Sequence, residues 1–176
     1  MKGQIPEKHK NISSASKRCY DVPIKKNGGK HMIHILLCCG GGFSSSALAA
    51  KVKKNIQEYH FEDKFEIEFS PFIIAKEKMD RFDIVVCCPH LTYDVKKMVK
   101  NANPDKPIYI LPPRMYGLID IRELSTNVLD VLEMYSRSPI NPVHFPGEEN
   151  VMRVTRSVAY RRSNVPQEEA KKATSS

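Results

Sequence analysis

One stretch restricts the fold of this chain more than any other. It is a short apolar run that ends in two cysteines and is followed by three glycines, Phe43 and three serines. Residues 32–38 predict a continuous apolar strand of the kind that is buried on both faces. The glycines and serines that follow lead into a helix over about 44–59, whose apolar residues recur every four positions at Leu48, Val52 and Ile56. A strand, a glycine-rich turn and a helix in this order predict a βα unit.

The strand and helix patterns repeat along the middle of the chain. Further strands are predicted at 65–69, 83–87 and 107–111, and further helices at 72–78, from Leu91 and from Ile121 to Tyr135. Repeated βα units indicate an α/β fold, a three-layer α/β/α arrangement with a parallel sheet between two layers of helices. We divide the chain into a basic flexible extension (1–31), a domain (32–135) and a basic, proline-containing extension (136–176). The last of these is predicted to start as an extended strap and to be disordered from Asn164 onward.

The composition indicates a reduced, cytoplasmic protein. Five cysteines, arranged as two adjacent pairs and Cys19, do not resemble a secreted disulfide framework, because neighbouring cysteines rarely bridge each other. No apolar run approaches the roughly 18 residues that a membrane span requires. The lysine-rich start also lacks the apolar segment of a signal peptide.

The net charge of +8 is concentrated at the two ends of the chain. Residues 1–31 hold eight basic and two acidic residues, residues 136–176 hold seven and four, and the middle is nearly neutral. Basic ends can bind nucleic acid or an anionic membrane. Neither end interleaves aromatic residues with its charges as single-strand-binding proteins do. We therefore expect solvated, flexible extensions and no nucleic-acid partner.

Candidate site residues follow two of the predicted strands at their carboxyl ends, where open parallel sheets bind ligands. Cys39 ends the first strand, and the segment Cys88-Pro89-His90 follows the third. The residues after Cys39 form a candidate phosphate cradle, because glycine amides, serine hydroxyls and a helix N-terminus all attract anions. The cradle residues are Gly40, Gly41, Gly42, Phe43, Ser44, Ser45 and Ser46. A thiol at such a place ionises more readily than usual and is a candidate phosphoryl acceptor.

Each of these residues also has an interpretation without a functional role. Cys38 is also near the strand end, but its side chain should point to the opposite face and into packing, so we favour Cys39 as the nucleophile. His90 and Tyr93 either contact the cysteine or a phosphoryl group, or serve only as a helix cap and a packing residue. The adjacent cysteine pairs fit zinc-ligand spacing poorly, so we expect no metal and no cofactor.

Three enzyme classes lack their characteristic residues here. A phosphatase of the C-x5-R type needs an arginine six residues after the thiol, where this chain has Ser45. No Gly-Lys-Ser/Thr follows the glycines, and no G-x-G-x-x-G pattern is present. A loop that holds phosphate without the arginine that helps to hydrolyse it is typical of a carrier.

Three stretches together resemble the IIB components of the bacterial sugar phosphotransferase system (PTS), lactose/cellobiose/chitobiose type. Residues 37–46 resemble the family's C-x-x-G-M-S-T-S loop, and Cys39 falls on its phosphorylated cysteine. Residues 88–93 resemble the family's G-P-Q-x-x-Y, with Cys88 in place of Gly and His90 in place of Gln. Met115-Tyr116-Gly117 resembles a Tyr-Gly motif. The resemblance covers about residues 32–135.

This resemblance implies a four-stranded parallel sheet of phosphatase-like or flavodoxin-like topology, and a phosphocarrier function. Cys39 would accept phosphoryl from the phosphohistidine of a IIA partner and pass it to a sugar bound by a membrane IIC partner. The chain would then come close to the membrane only through IIC. A second hypothesis is a PTS-derived regulatory module without a transport role, and a third is a thiol hydrolase or reductase. The second thiol, Cys88, could also form an inhibitory disulfide with Cys39.

Overall fold

The chain folds around one four-stranded sheet. The computed structural model describes residues 32–41 and 43–163, and for 43–46 it describes the backbone alone. The strands lie in the order β2-β1-β3-β4, and all three neighbouring pairs are parallel. Their bounds are β1 Ile33–Cys39, β2 Phe65–Pro71, β3 Ile84–Cys87 and β4 Ile108–Ile110. The predicted four-stranded parallel sheet is confirmed.

Six α-helices are present in the described part of the chain. The predicted helices all form, although α1 begins at Phe43, one residue earlier than expected. The short helix α4 was not predicted, because a six-residue helix that starts at consecutive prolines shows no apolar period. The bounds are α1 Phe43–Glu58, α2 Ala75–Lys78, α3 Thr92–Ala102, α4 Pro113–Leu118, α5 Ile121–Arg137 and α6 Tyr160–Ser163.

Alternate residues of the strands face two helical layers. Leu36, Val85 and Ile110 pack in one buried cluster with Ala75 of α2 and Val95 of α3. On β4 the intervening Tyr109 instead bonds to α5, where its hydroxyl accepts a 3.0 Å hydrogen bond from the Asn127 amide. Helix α5 also contacts α1. The molecule therefore has the predicted three-layer α/β/α arrangement of flavodoxin-like folds.

The direction of the chain across the sheet reverses between β1 and β3. From β1 the chain goes to β2 at one edge and then crosses to β3 on the other side of β1. Strands β1 and β3 are in register, with Leu37 opposite Val86 and Cys38 opposite Cys87. Their carboxyl ends therefore lie side by side at the topological switch point, where open α/β sheets place their ligands.

The segment 138–163, called the strap below, packs along β4 instead of extending into solvent. Val143 forms a parallel bridge with Tyr109, and its N–H donates to the Ile108 carbonyl at 2.8 Å. The Ile108 N–H in turn donates to the Asn141 side chain at 2.8 Å. These bonds cover the edge strand of the sheet. The expectation of a solvated, flexible end was therefore wrong for the strap.

The basic residues of the strap explain this difference, because they pair with acidic residues that are distant in sequence. Arg161 bonds to Asp130, and Arg162 bonds to Glu123 at 2.6 Å; both carboxylates belong to α5. The amino-acid composition shows only that these arginines are positively charged, whereas the structure shows that they attach the strap to the domain. Residues 1–31 and 164–176, which were predicted to be flexible or disordered, lie outside the described residues.

Candidate functional site

Cys39 lies at the end of β1, beside the carboxyl end of β3. Cys39 is buried with 8% of its surface exposed, whereas Cys38, Cys87 and Cys88 are 0% exposed. Among the described cysteines, Cys39 therefore has the largest exposed fraction. Because it lies at the switch point, it is also where a ligand is expected on topological grounds.

Cys38 and Cys87 form an interior pair. They are opposite each other in the ladder and belong to the buried cluster under α2 and α3. Burial raises the pKa of the Cys87 thiol well above its usual value, and its hydrogen bond with Cys38 raises that pKa further. Both residues are packed as small apolar side chains, which agrees with the predicted packing of Cys38.

The backbone after Cys39 turns sharply toward α1. Gly41 has a φ of +87°, which L side chains adopt with strain, so glycine suits this position. Helix α1 has 16 residues and no acidic residue in its first turn, so its positive end is not neutralised from within the helix. Gly42 and the side chains of Phe43, Ser44, Ser45 and Ser46 lie outside the described residues. Their predicted role in binding phosphate stays a prediction.

The loop after β3 comes close to Gly40. A Cβ atom added at Gly40 would lie 3.2 Å from the Nε2 atom of His90, so the imidazole lies directly against this glycine. The same Nε2 atom is 3.1 Å from the sulfur of Cys88. His90 is exposed at this point, where the 3-10 turn Pro89–Leu91 begins α3. The structure thus brings His90 to the cradle.

The thiol of Cys88 is held in its protonated form. Burial raises its pKa to about 11, the Gly40 amide opposes this by hydrogen bonding to the sulfur, and a charge on Cys39 raises the pKa again. The contribution from Cys39 shows that these two sulfur atoms are electrostatic neighbours. At neutral pH, Cys88 is therefore a poor nucleophile beside the more accessible Cys39.

Tyr116, from α4, is a site residue that sequence reasoning missed. Its ring meets the His90 ring edge to face, with centroids 6.1 Å apart. Burial raises its pKa, and charges on Cys88 and Cys39 raise it further. The Met115-Tyr116-Gly117 motif was the available signal. Tyr93, by contrast, is 75% exposed on α3.

An apolar groove of about 570 Å³ adjoins the cradle at Gly40. Phe72, Ile73 and Met98 supply apolar lining, with lysines at its rim. Ile73 is 88% exposed, which is unusual for a large apolar side chain on an isolated domain.

Within 32–41 and 43–163, no cluster of three or more His, Cys, Asp or Glu side chains is arranged to hold a metal ion. No helix in those ranges has the length and apolar character needed to cross a membrane.

A protein-family model described as PTS system, Lactose/Cellobiose specific IIB subunit matches residues 34–126. The chain belongs to this family. Membership gives the IIB chain a role in PTS sugar phosphotransfer and, in general terms, interaction with IIA and IIC partners. The matched segment begins at the second residue of β1, contains β2 to β4 and both loops of the candidate site, and ends within α5. The strap lies outside the match.

Proposed function

We propose that this IIB chain is a phosphocarrier whose Cys39 accepts phosphoryl from the phosphohistidine of a IIA partner. It then passes the group to a sugar held by a membrane IIC partner, on the cytoplasmic side. The observation that carries the proposal is the position of Cys39, the most exposed of the described cysteines, at the switch point and shortly before the N-terminal end of a 16-residue helix. We assign the phosphocarrier domain to residues 32–135.

The first step is an in-line displacement. The Cys39 thiolate attacks phosphorus, the P–N bond breaks, and its electron pair returns to the imidazole of the donor. Charge on the phosphoryl oxygens is met by backbone amides from Gly40 to Phe43 and by the hydroxyls of Ser44, Ser45 and Ser46.

The second step reverses the roles around phosphorus. A hydroxyl group of the sugar attacks, the P–S bond breaks, and Cys39 leaves as a thiolate, so the hydroxyl proton must pass to a base on the partner or to solvent. Two displacements at one thiol amount to covalent catalysis distributed over separate proteins. The family description favours a β-disaccharide such as lactose, cellobiose or chitobiose as the acceptor.

His90 and Tyr93 are the second-loop candidates. The imidazole of His90 lies against Gly40 and can donate to a phosphoryl oxygen on Cys39. Tyr93 is exposed, so we propose for it a contact with a partner rather than with the thiol. The groove lined by Phe72 and Ile73 adjoins the same edge and offers apolar surface to either partner.

The test is transfer of labelled phosphoryl from phosphoenolpyruvate, through the general relay and IIA, to a disaccharide in membranes that contain IIC. The wild-type chain should produce labelled sugar phosphate, and Cys39→Ser should produce none. Labelling of the chain without any transfer to sugar would favour the regulatory module instead. That alternative is suggested by the strap, which lies outside the family match. Turnover of a phosphate ester or a disulfide by the chain alone would favour the thiol-enzyme hypothesis.

A further inference from the structure

Four cysteines lie at the carboxyl ends of the two central strands, where they form two opposed pairs. Cys38 lies opposite Cys87, and the Cys88 N–H donates to the Cys38 carbonyl at 3.0 Å, which continues the ladder one residue farther. The next opposed residues are therefore Cys39 and Cys88. Neighbouring strands lie about 4.8 Å apart, and disulfides join Cα atoms separated by roughly 4.4–6.8 Å. The backbone thus places Cys39 within bonding reach of Cys88.

The two pairs differ in access and surroundings. Cys38 and Cys87 are both fully buried, so an oxidant in solution does not reach them. Cys39 is buried but keeps 8% of its surface exposed, whereas Cys88 is 0% exposed and its sulfur lies 3.1 Å from the Nε2 atom of His90. A thiol that keeps some contact with solvent, opposite a fully buried thiol, is the arrangement of a redox pair.

We propose that Cys39 and Cys88 form a reversible disulfide that blocks the phosphoryl acceptor when the protein meets a hydroperoxide. The regulatory meaning of this pairing rests on the proposed function, because it is the carrier thiol that becomes occupied. Cys39 is assigned as the thiol that is oxidised first, and Cys88 as the thiol that resolves it.

The reaction balances with one peroxide. The Cys39 thiolate attacks an oxygen of hydrogen peroxide, the O–O bond breaks, and the products are a sulfenic acid and hydroxide, which becomes water. The Cys88 sulfur then attacks the Cys39 sulfur, the S–O bond breaks, and hydroxide leaves with the thiol proton as a second water. Two thiols lose two electrons and two protons, and peroxide is reduced to water.

His90 serves the second of these steps as a positioning residue. Its Nε2 atom is 3.1 Å from the Cys88 sulfur, so the tautomer with an unprotonated Nε2 can accept the thiol proton as the sulfur attacks. That help matters because burial holds the pKa of Cys88 near 11. Exchanging His90 for Gln should slow the resolving step, so that sulfenic acid on Cys39 persists longer after peroxide treatment.

Phosphorylation and oxidation exclude each other under this proposal, because both use the Cys39 sulfur. A chain that carries phosphoryl is protected from peroxide, and a disulfide chain cannot take phosphoryl. Reduction by a dithiol restores the acceptor.

The experiment treats the reduced full-length chain with hydrogen peroxide, blocks the remaining thiols, and measures intact mass and non-reduced peptide maps. The wild type should lose about 2 Da before the thiols are blocked, should carry two fewer blocking groups than the reduced chain afterwards, and should yield a cross-link between the peptides of Cys39 and Cys88. Phosphoryl uptake should fall at least tenfold and recover with dithiothreitol. Cys87→Ala is the matched control and should keep the cross-link, whereas Cys88→Ala should lose it and accumulate oxygen on Cys39.

Cys38→Ala, which should keep the cross-link, and Cys87→Ala together identify the bonded pair, since Cys38 shares a peptide with Cys39 and Cys87 shares one with Cys88. Loss of the cross-link in Cys87→Ala, a cross-link from Cys39 to Cys19, or full uptake after peroxide would each overturn the proposal. Uptake by each reduced variant shows that it is folded, and Cys88→Ser replaces Cys88→Ala should the latter fail to fold. The reduced chain could fail to take phosphoryl and still form the disulfide after peroxide treatment. That result would support the pairing and refute the phosphocarrier function. Normal uptake without a disulfide would refute the redox inference alone.

Discussion

Replacing Arg156 should show how firmly the strap is held to the domain. Its guanidinium makes two bonds with Glu148, at 2.6 and 2.8 Å, and donates to the Tyr109 hydroxyl at 3.0 Å. It also lies 5.3 Å from the centre of the Phe145 ring. The side chains of Arg156 and Glu148 are only 7% and 14% exposed. The guanidinium therefore links Glu148 of the strap to Tyr109 of β4 in a largely dry environment.

The magnitude follows from the burial of the charge that would be left behind. Burial lowers the pKa of Arg156, but the bonds to Glu148 and Tyr109 outweigh burial and raise it, so the guanidinium stays charged. Removal of one partner of a buried pair costs about 3–5 kcal/mol, because the other charge remains unpaired. We expect this loss for Arg156→Met. Removing both charges should be milder, so Arg156→Met with Glu148→Gln should recover about 2 kcal/mol.

Urea unfolding of the full chain measures these differences, with Arg161→Met as the control. Arg161, also on the strap, pairs with Asp130 of α5, but the Arg161 side chain is 45% exposed, so its loss should cost less than about 1 kcal/mol. A loss below about 1 kcal/mol for Arg156→Met, or a double variant that is no more stable than the single one, would refute a docked strap and its buried pair.

Two smaller perturbations test the helix start of α5 and the contact between the two loops. Asp120 caps α5, and its bonds to Arg122 hold its pKa below the usual value. The charge of Asp120 therefore stabilises the fold fully above about pH 4, and this stabilisation is lost as the pH falls through the lowered pKa. Asp120→Asn should therefore be less stable than wild type by about 0.5 kcal/mol near neutral pH and equally stable in strong acid. Thermal unfolding measures this difference, and a difference that persists in acid would contradict the prediction. Gly40→Ala should displace the His90 imidazole, because the new Cβ would lie 3.2 Å from Nε2, and should slow phosphoryl uptake with little loss of stability. Unchanged His90 imidazole resonances in NMR spectra and an unchanged uptake rate would show that the two loops do not meet as described.

The central sheet and the placement of the thiols were predictable from local patterns. The apolar run before Cys39 and the one before Cys88 each predict a buried strand, and parallel strands bring their carboxyl ends to one edge. Those two facts place Cys39 near Cys88 and His90 if the two strands are neighbours, and the strand order of the fold makes them so. The aliphatic stripe of α5 was equally clear, because its period continues over 17 residues.

Tyr116 and the strap depend on information that no local pattern carries. Tyr116 reaches the site on a six-residue helix that begins with proline, where no apolar period can develop. Arg156 is one of several arginines in a basic, proline-containing segment, and only the fold shows that Glu148 and the Tyr109 hydroxyl meet it. Long-range pairs of this kind turn a predicted solvated end into a packed one.

The most direct test of Cys39 as the phosphoryl carrier is the intact mass of three full-length chains after incubation with phosphoenolpyruvate and a complete relay that includes IIA. We predict a gain of one phosphoryl group, about 80 Da, in the wild type and in Cys38→Ser, and no gain in Cys39→Ser. A relay shown to be competent on another IIB protein is the control. A gain in Cys39→Ser, or none in the wild type with a competent relay, would contradict the assignment of Cys39 as the phosphoryl carrier.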